Sequence, residues 1–236
     1  MFDVVIVANG QFPTHEIPLG ILRKARYVVA CDGAIVHLQQ AGVEANVIIG
    51  DGDSVPEEFR HLLIQISEQE DNDQTKATRY CLEHLKPQTS NLSPLTSHPS
   101  PLKIAYLGAT GLREDHTLGN ISLLMRYYRE MGVEGTMFTD YGFFTPAQGN
   151  RTFPSYPGQQ VSIFNFGCKS LTSEGLRWNS YAYDQWWQGT LNEAIGNSFS
   201  FFADGYYMVY QTYGEQKITA TISEYSSSYH KGVDRR

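Results

Sequence analysis

The segment Val47-Ile48-Ile49-Gly50-Asp51-Gly52-Asp53-Ser54 (residues 47–54) places a short apolar run directly before glycines and two carboxylates. An uninterrupted β-branched run of this kind predicts a strand buried on both faces, as in parallel sheets. Similar runs recur along the first half of the chain and alternate with stretches of helical periodicity. The strands predicted in this way are Val4–Ala8, Tyr27–Ala30, Val47–Ile49, Leu62–Ile66, Lys103–Leu107 and Gly135–Phe138.

Helical periodicity is clearest in Asp115–Met131, where apolar residues recur every three or four positions and Gly132 follows as a stop. A second helix is predicted over residues 73–85. Strands that alternate with helices indicate an α/β N-terminal domain over residues 1–145, with a mostly parallel sheet and flanking helices. The Ser- and Pro-rich stretch 86–101 has almost no periodicity and predicts a surface loop within this domain.

The chain after residue 145 has a different character. Short aromatic or β-branched segments alternate there with Gly, Asn and Asp, and no convincing helical pattern follows. This composition predicts an all-β C-terminal sandwich of antiparallel strands over residues 146–236. The predicted strands include Gln160–Phe164, Ser198–Ala203, Tyr206–Thr212 and Lys217–Ile222. Asp204-Gly205, between the second and third of these, predicts a hairpin.

Composition limits the classes of partner. The 236 residues carry a formal net charge of −7 without a long Lys/Arg run, which argues against nucleic acid or an anionic membrane as the main partner. Neither an apolar stretch of about 20 residues nor the basic start of a signal peptide is present. Three widely spaced cysteines, Cys31, Cys81 and Cys168, indicate reduced thiols. We therefore expect a cytoplasmic protein.

The carboxylates Asp51 and Asp53 form the first candidate site. In an extended stretch their side chains point to the same side, where they repel each other unless a cation neutralises them. Hard oxygen ligands of this kind suit Mg²⁺. Asp-Gly turn chemistry, with Asp53 or Ser54 capping a following helix, explains the same residues equally well. The motif alone leaves both interpretations open.

A second acidic cluster occupies residues 69–76, Gln69-Glu70-Asp71-Asn72-Asp73-Gln74-Thr75-Lys76. In the functional interpretation Asp73 is a further metal ligand, and Gln69 and Lys76 face a phosphate or another ligand. In the structural interpretation Asp73 caps the following helix and Lys76 is solvated on its first turn. For an isolated acidic run the structural interpretation is the more frequent one.

The third cluster, Leu107–Asn120, leads from a strand through glycines into a helix. Backbone N–H groups at the start of a helix form a ready anion site, and the guanidinium of Arg113 matches phosphate oxygens. Asp115 also fits as a charge that favours the helix dipole. The pattern is neither Walker A nor GxGxxG. Together, the three clusters at strand-to-helix junctions indicate a site for a metal and a nucleotide phosphate.

The order of these motifs closely resembles the thiamine pyrophosphokinase (thiamin diphosphokinase) family over about residues 30–193. The resemblance rests on Ala30–Ala34, Gly50–Ser54, Gln69 with Asn72-Asp73 and Lys76, Gly108–Gly111 with Arg113, Asp115-His116-Thr117 and Asn120, Glu174–Trp178 and Gly189–Glu193. Two positions depart from the family pattern. Leu112 stands where a glycine is usual, and Leu191 replaces the serine before Asn192.

The resemblance implies an enzyme that transfers the pyrophosphoryl group of ATP to thiamine, with Mg²⁺ as cofactor and ATP as co-substrate. It also implies a homodimer with active sites near the subunit interface and a β-sandwich used for thiamine binding and dimerisation. Asp51, Asp53 and Asp73 become the expected metal ligands and form the catalytic set with Arg113. The residues expected to contact ATP are Asp32, Gln69, Lys76, Thr110, Asp115 and His116. Those expected to contact thiamine are Trp178 and Asn192.

Two further questions stay open at the level of sequence. Trp178 fits stacking on thiamine and fits filling the sandwich core about equally, whereas Trp186 and Trp187 are expected to point to opposite faces of a strand. A related diphosphokinase acting on 6-hydroxymethylpterin is an alternative function. A non-catalytic protein that binds nucleotide or thiamine on the same fold is another.

Overall fold

The computed structural model describes residues 1–85 and 100–214, which fall into two units. The N-terminal unit is Phe2–Asp140, and the C-terminal unit begins at Tyr141. Residues 86–99 of the predicted Ser/Pro-rich loop and the predicted strand Lys217–Ile222 lie outside the described residues.

Six parallel strands form the sheet of the N-terminal unit. They are β1 (Val4–Val7), β2 (Val28–Cys31), β3 (Val47–Gly50), β4 (Leu63–Gln65), β5 (Lys103–Leu107) and β6 (Glu134–Phe138). Their spatial order is β6-β5-β1-β2-β3-β4, with every neighbouring pair parallel. The predicted parallel sheet is confirmed, and every strand starts and ends within one residue of its predicted bound. The reason is burial: all residues of β1, β2 and β3 are shielded from solvent, so their sequences are continuously apolar.

Helices connect these strands. They are α1 (Glu16–Arg23), α2 (Ala34–Gln40), α3 (Asp73–His84) and α4 (Glu114–Glu130), together with a 3₁₀ helix at Glu57–Leu62. The chain proceeds from β1 outward to β4 and then returns to the other side of β1, where β5 and β6 lie. Such a reversal creates a crevice at the carboxyl ends of the strands, where open α/β sheets bind ligands. None of the helices in the described residues is long and apolar enough for a membrane span.

Two antiparallel sheets make up the C-terminal unit, as predicted. Their strands are β7 (Gly142–Gln148), β8 (Arg151–Pro154), β9 (Gln160–Asn165), β10 (Leu171–Glu174), β11 (Asn192–Glu193), β12 (Ser198–Ala203) and β13 (Tyr206–Thr212). One sheet contains β11-β9-β13-β7 and the other β10-β12-β8. Phe199 and Phe201 of β12 and Ile163 of β9 lie in one buried core, so the two sheets pack as a sandwich.

The prediction of a hairpin at Asp204-Gly205 is wrong. The strand before it, β12, pairs with β8 and β10, whereas the strand after it, β13, pairs with β7 and β9. Asp204 Oδ1 instead accepts the backbone N–H groups of Lys169 and Ser170, at 2.9 and 3.0 Å. The Asp-Gly pair therefore makes a corner between two sheets, which has the same local turn chemistry as a hairpin but different strand partners.

The side chain of Asp140, in the loop after β6, bonds to the residues that precede α1. Its carboxylate accepts the N–H of Thr14 at 2.8 Å, the hydroxyl of Thr14 at 2.6 Å and the N–H of His15 at 3.0 Å. Partial burial acts to raise the pKa of Asp140, but the hydrogen bonds from Thr14 and His15 outweigh it and hold the pKa below its ordinary value. The ionised carboxylate is therefore the form that stabilises the folded protein.

Replacing Asp140 by Asn should lower the free energy of unfolding by about 1 kcal/mol at neutral pH, because the hydrogen bonds of Thr14 and His15 to a charged carboxylate become weaker bonds to a neutral amide. Since the folded-state pKa is depressed, this stabilisation is complete above the unfolded pKa of about 3.9 and is lost as the pH falls through the folded value. Urea unfolding of both proteins from neutral pH down to about pH 2.5 measures the difference. A deficit that stays constant across this range would contradict the assignment.

Candidate active site

Asp32 shapes residues 50–54, which we call the acidic turn. It follows β2 with a left-handed φ of 42° and is only 6% exposed. Its Oδ1 accepts the N–H of Gly52 at 3.0 Å, and its Oδ2 accepts the N–H of Ser54 at 3.1 Å. Asp32 therefore holds the acidic turn through both carboxylate oxygens. A direct contact between Asp32 and ATP stays a prediction.

Asp51 and Asp53 do not lie in the extended stretch that the sequence suggested, so that expectation was wrong. Gly52 between them has a φ of 86°, and Asp51 Oδ1 accepts the N–H of Asp53 at 3.1 Å. Asp51 is half-buried and Asp53 is exposed. Gln65, the last residue of β4, donates its side-chain amide to the carbonyl of Asp51 at 2.8 Å. The acidic turn thus contains a local hydrogen bond typical of turns and also presents two accessible carboxylates at the end of β3.

The structural interpretation, in which Asp73 caps α3 and Lys76 is solvated, is wrong for both residues. The residue that caps α3 is Asn72, whose Oδ1 accepts the N–H of Thr75 at 3.0 Å. Lys76 is not solvated: its side chain is 2% exposed, and Nζ lies 3.4 Å from Asp73 Oδ1. A buried ammonium group is costly unless negative charge surrounds it. In the described structure the buried ammonium group of Lys76 has the carboxylate of Asp73 as its charged partner.

The acidic side chains of this edge share one electrostatic environment. Burial raises the pKa of Asp73, Lys76 acts to lower it, and the carboxylates of Asp32 and Asp51 raise it again. The net direction is upward, so the pKa of Asp73 lies above its ordinary value. Three carboxylates with a single buried ammonium group leave excess negative charge for a cation to neutralise. Even so, no group of three or more His, Cys, Asp or Glu side chains is found assembled for metal binding within residues 1–85 and 100–214.

Two asparagines join the loops on either side of this cluster. Asn72, before α3, donates its amide to Asn120 Oδ1 at 2.9 Å, and the buried Asn120 donates its own amide to the carbonyl of Ala109 at 2.8 Å. The hydroxyls of Thr75 and Tyr127 lie 2.6 Å apart behind this link. Sequence reasoning assigned no role to either asparagine, although both belong to the motifs that carry the family resemblance. The order of residues along the chain does not show which distant side chains contact each other.

The loop between β5 and α4 is built on close backbone contacts. Gly108 and Gly111 have φ values of 61° and 92°, which favour glycine. The N–H groups of Gly10 and Gln11 donate to the carbonyls of Gly108 and Thr110, at 2.7 and 2.8 Å. The half-buried Thr110 is therefore placed where the loops after β1 and β5 meet, at the reversal point of the sheet.

Arg113 and Asp115 form a pair at the start of α4. Arg113 Nε and Nη2 donate to the two carboxylate oxygens of Asp115 at 3.2 and 2.7 Å, and this pairing holds the pKa of Asp115 below its ordinary value. Asp115 Oδ1 also accepts the N–H of His116 at 2.9 Å. Arg113 and His116 are exposed, as is Gln69, whose amide donates to the carbonyl of Ser67 at 3.4 Å. The predicted phosphate contacts of these residues stay predictions.

A second candidate site lies in the C-terminal unit. It is a pocket of about 240 Å³, and its lining residues are Trp178, Asn179, Tyr181, Tyr183, Gln188, Thr190, Leu191 and Asn192. The lining combines aromatic rings with amide and hydroxyl groups and contains no charged side chain among the described residues. Such a pocket suits a flat heteroaromatic ligand that needs stacking and a few hydrogen bonds.

Asn192 serves mainly to hold the backbone of Trp178. Its Oδ1 accepts the N–H of Trp178 at 3.2 Å, and its Nδ2 donates to the carbonyl of Trp178 at 2.8 Å. The indole of Trp178 is 53% exposed, so the core interpretation of this tryptophan is wrong. Arg177 lies with Cζ 5.4 Å from the centre of that indole and also forms an ion pair with Glu193 at 3.3 Å. Trp178 is thus held from its backbone and from one neighbouring side chain.

The other two tryptophans do not line this pocket. Trp186 and Trp187 begin a 3₁₀ helix, Trp186–Gly189, so the expectation that they point to opposite faces of a strand was wrong. Trp186 packs against the rings of Phe164 and Phe166. Of the three tryptophans, Trp178 is the one placed to meet a ligand there.

Two protein-family models match the chain, one over most of each unit. A family model described as "Thiamin pyrophosphokinase, catalytic domain" matches residues 20–134, and one described as "Thiamin pyrophosphokinase, substrate-binding domain" matches residues 142–210. The chain belongs to the thiamin pyrophosphokinase family. The first match contains the acidic turn and the Arg113 loop, and the second contains the aromatic pocket. The chain is therefore an enzyme of the thiamine diphosphokinase class.

Solved structures of thiamin pyrophosphokinases share the fold. The enzyme from Bacillus subtilis is 21% identical, with a TM-score of 0.69, covering 89% of this chain and 98% of that one. The enzyme from Candida albicans is 16% identical, with a TM-score of 0.73 and 90% of each chain covered. The yeast enzyme is 16% identical, with a TM-score of 0.73, covering 89% of this chain and 86% of that one. No curated protein sequence matches significantly.

The support that Asp32 gives the acidic turn predicts a stability difference between two Asp→Asn substitutions. In Asp32→Asn an NH₂ group faces a backbone N–H, so we expect the free energy of unfolding to fall by about 1–3 kcal/mol. Asn tolerates left-handed φ values, so backbone strain does not contribute. Asp53→Asn, an exposed change in the same turn, should shift stability by less than about 0.5 kcal/mol. Equal melting curves for the two variants would contradict the role assigned to Asp32.

Proposed function

We propose that this thiamin pyrophosphokinase family member transfers the pyrophosphoryl group of ATP to thiamine and forms thiamine diphosphate and AMP. The observation that carries the proposal is the buried ammonium group of Lys76 beside Asp73, with Asp32 and Asp51 in the same electrostatic environment. This combination suits a polyphosphate bound together with a cation. The uncharged aromatic pocket of the C-terminal unit suits the other substrate.

Asp51, Asp53 and Asp73 are the proposed ligands of Mg²⁺. The donor chemistry fits, because all three are carboxylates and the raised pKa of Asp73 reflects burial together with nearby negative charge. A hard divalent cation removes that repulsion. When bound, Mg²⁺ neutralises charge on the triphosphate and helps to align it.

The phosphate oxygens are proposed to bind at Lys76, Thr110 and Arg113. Lys76 offers a buried positive charge, and Arg113 offers a planar fork of donors that matches two phosphate oxygens. Asp115 accepts from Nε and one N–H of Nη2, which orients Arg113 and leaves the edge formed by Nη1 and Nη2 for the phosphate. The exposed Gln69 and His116 are the remaining proposed contacts to ATP. The acidic turn, which Asp32 holds, belongs to the same unit as these residues.

Thiamine is proposed to bind in the aromatic pocket. Its thiazolium ring is a cation, and the pocket lining contains Trp178 and Tyr181 but no charged side chain among the described residues. A tryptophan face attracts a flat cation without an ion pair. Asn192 fixes the backbone of Trp178 and so presents the indole to the pocket.

The reaction requires alignment more than covalent help from the protein. The oxygen of the thiamine hydroxyl forms a bond to the β-phosphorus, the bond from that phosphorus to the α,β-bridging oxygen breaks, and AMP leaves with the electron pair. The hydroxyl proton is released. Side chains that hold phosphates in line and offset their charge supply most of the acceleration in such transfers.

The assembly and location are also proposals. The family resemblance supports a homodimer, and reduced, buried thiols fit a cytoplasmic protein: all three cysteines are free and buried, and burial raises the pKa of Cys81 to about 12. Light scattering of the purified protein measures the assembly. A monomeric mass at working concentration would contradict the dimer.

The direct test is to incubate the purified chain with ATP, Mg²⁺ and thiamine and to separate the products by chromatography. We expect equal amounts of AMP and thiamine diphosphate, loss of both on chelation of the metal, and almost no turnover in the folded Asp53→Asn variant. Product from 6-hydroxymethylpterin instead of thiamine would indicate the related diphosphokinase. Ligand binding without AMP release would indicate a non-catalytic protein.

Arg113→Lys keeps the positive charge but loses the planar fork of donors. We expect the variant to lose about tenfold or more in kcat/KM, because a point charge cannot replace two aligned hydrogen bonds to phosphate. Arg129→Lys, in the last turn of α4, is the matched control and should behave like the wild type. Wild-type kinetics in Arg113→Lys would make Arg113 a surface arginine without a role in catalysis.

Trp178→Ala removes the proposed stacking surface. Because the indole is half exposed, we expect the melting temperature to change by less than about 2 °C, whereas a loss of about 0.5–2 kcal/mol of cation–π contact should raise the KM for thiamine about two- to thirtyfold. The KM for ATP should change little. Trp187→Ala, which removes a more exposed indole outside the pocket, serves as control. A thiamine KM that stays at the wild-type value in Trp178→Ala would place the acceptor elsewhere.

A further inference from the structure

Leu191 has a backbone conformation that leucine rarely adopts. Its φ is 63°, and in the described residues Asp32 is the other non-glycine residue with a positive φ. Asp and Asn enter the left-handed region with little difficulty, because their short side chains bond locally, whereas leucine has no such compensation. A strained residue of this kind is a reason to look for a function.

The surrounding chain imposes this conformation. On one side, Thr190 closes the 3₁₀ helix, with its N–H and its hydroxyl both donating to the carbonyl of Trp187 at 3.2 and 2.7 Å. On the other side, Asn192 begins β11 and pairs with Val161. The N–H of Leu191 itself donates to the hydroxyl of Ser162 at 3.3 Å. These contacts fix the chain on both sides of Leu191, and the leucine side chain has no polar group to bond locally in exchange for the left-handed backbone.

The side chain of Leu191 is also poorly placed for stability. It is 74% exposed and therefore gains little from burial in the protein. It lines the aromatic pocket together with Trp178, Tyr181 and Tyr183. An exposed apolar group at the rim of a pocket becomes buried when a ligand enters.

We propose that Leu191 is a specificity-determining residue that packs its apolar side chain against the ring system of the acceptor bound in the aromatic pocket. This inference rests on the proposed function. It names the class of acceptor: a flat heteroaromatic molecule with an apolar face or ring substituent at Leu191. The chain therefore recognises this part of its acceptor by exclusion of water and not by a hydrogen bond.

Leu191→Asn separates the two effects of the residue. Asparagine accepts the left-handed backbone, so the melting temperature should stay equal or rise. The loss of an apolar contact should raise the KM for thiamine about five- to tenfold, with kcat changed by less than about twofold, because such a contact binds ground state and transition state alike. Leu191→Met, which keeps an apolar side chain on the same backbone, should recover most of the affinity. Ile195→Asn removes an apolar side chain that is 63% exposed outside the pocket and serves as control.

Titration of tryptophan fluorescence with thiamine gives a binding readout that does not depend on turnover. Wild-type protein that neither binds nor converts thiamine would overturn the proposed function and this inference together. Active wild-type protein combined with an unchanged thiamine KM and Kd in Leu191→Asn would overturn the inference alone. A rise in KM shared equally by Ile195→Asn would overturn it too, because the effect would not belong to the pocket.

Discussion

The carboxylate of Asp32 accepts two backbone N–H groups from the acidic turn, and the position of this turn in the candidate nucleotide site depends on this contact. It ties the end of β2 to the loop after β3 and so sets where Asp51 and Asp53 lie. The contact requires space as well as hydrogen bonds. A Cβ atom on Gly50 would lie 2.8 Å from Asp32 Oδ1, so the glycine at the end of β3 is needed for the buried carboxylate to fit.

The neighbouring loops are held in the same manner, by side chains that bond to backbone groups of the next loop. Asn120 reaches Ala109, Asn72 reaches Asn120, and Gln65 reaches the carbonyl of Asp51. These neutral hydrogen bonds leave the charged groups, Asp73 and Lys76 above all, to interact with one another and with a ligand. A scaffold fixed before the ligand arrives is what a reaction based on alignment and charge neutralisation needs.

The two candidate sites use different physical interactions. At the edge of the parallel sheet, carboxylates and a buried ammonium group make a highly charged environment that suits phosphate and metal. In the sandwich, an uncharged lining of rings and amides suits a ligand that is itself flat and cationic, and Arg177 helps to hold the indole of Trp178 from outside the lining. The strain at Leu191 belongs to this second site, where the backbone is set by the approach of the 3₁₀ helix to β11.

The sequence by itself determined the six parallel strands, the helices α3 and α4, and the positions of the acidic turn and Arg113 at strand-to-helix junctions. Those features follow from short-range patterns, because a strand buried on both faces must be apolar and a helix must repeat every 3.6 residues. Only the tertiary structure decided that Lys76 is buried, that Asn72 and Asn120 bond to each other, and that β12 and β13 belong to different sheets. It also decided that Asp51 and Asp53 lie in a turn and that Trp186 begins a 3₁₀ helix. These outcomes depend on which distant segment packs against each residue, and residues with the same local propensity can meet quite different partners.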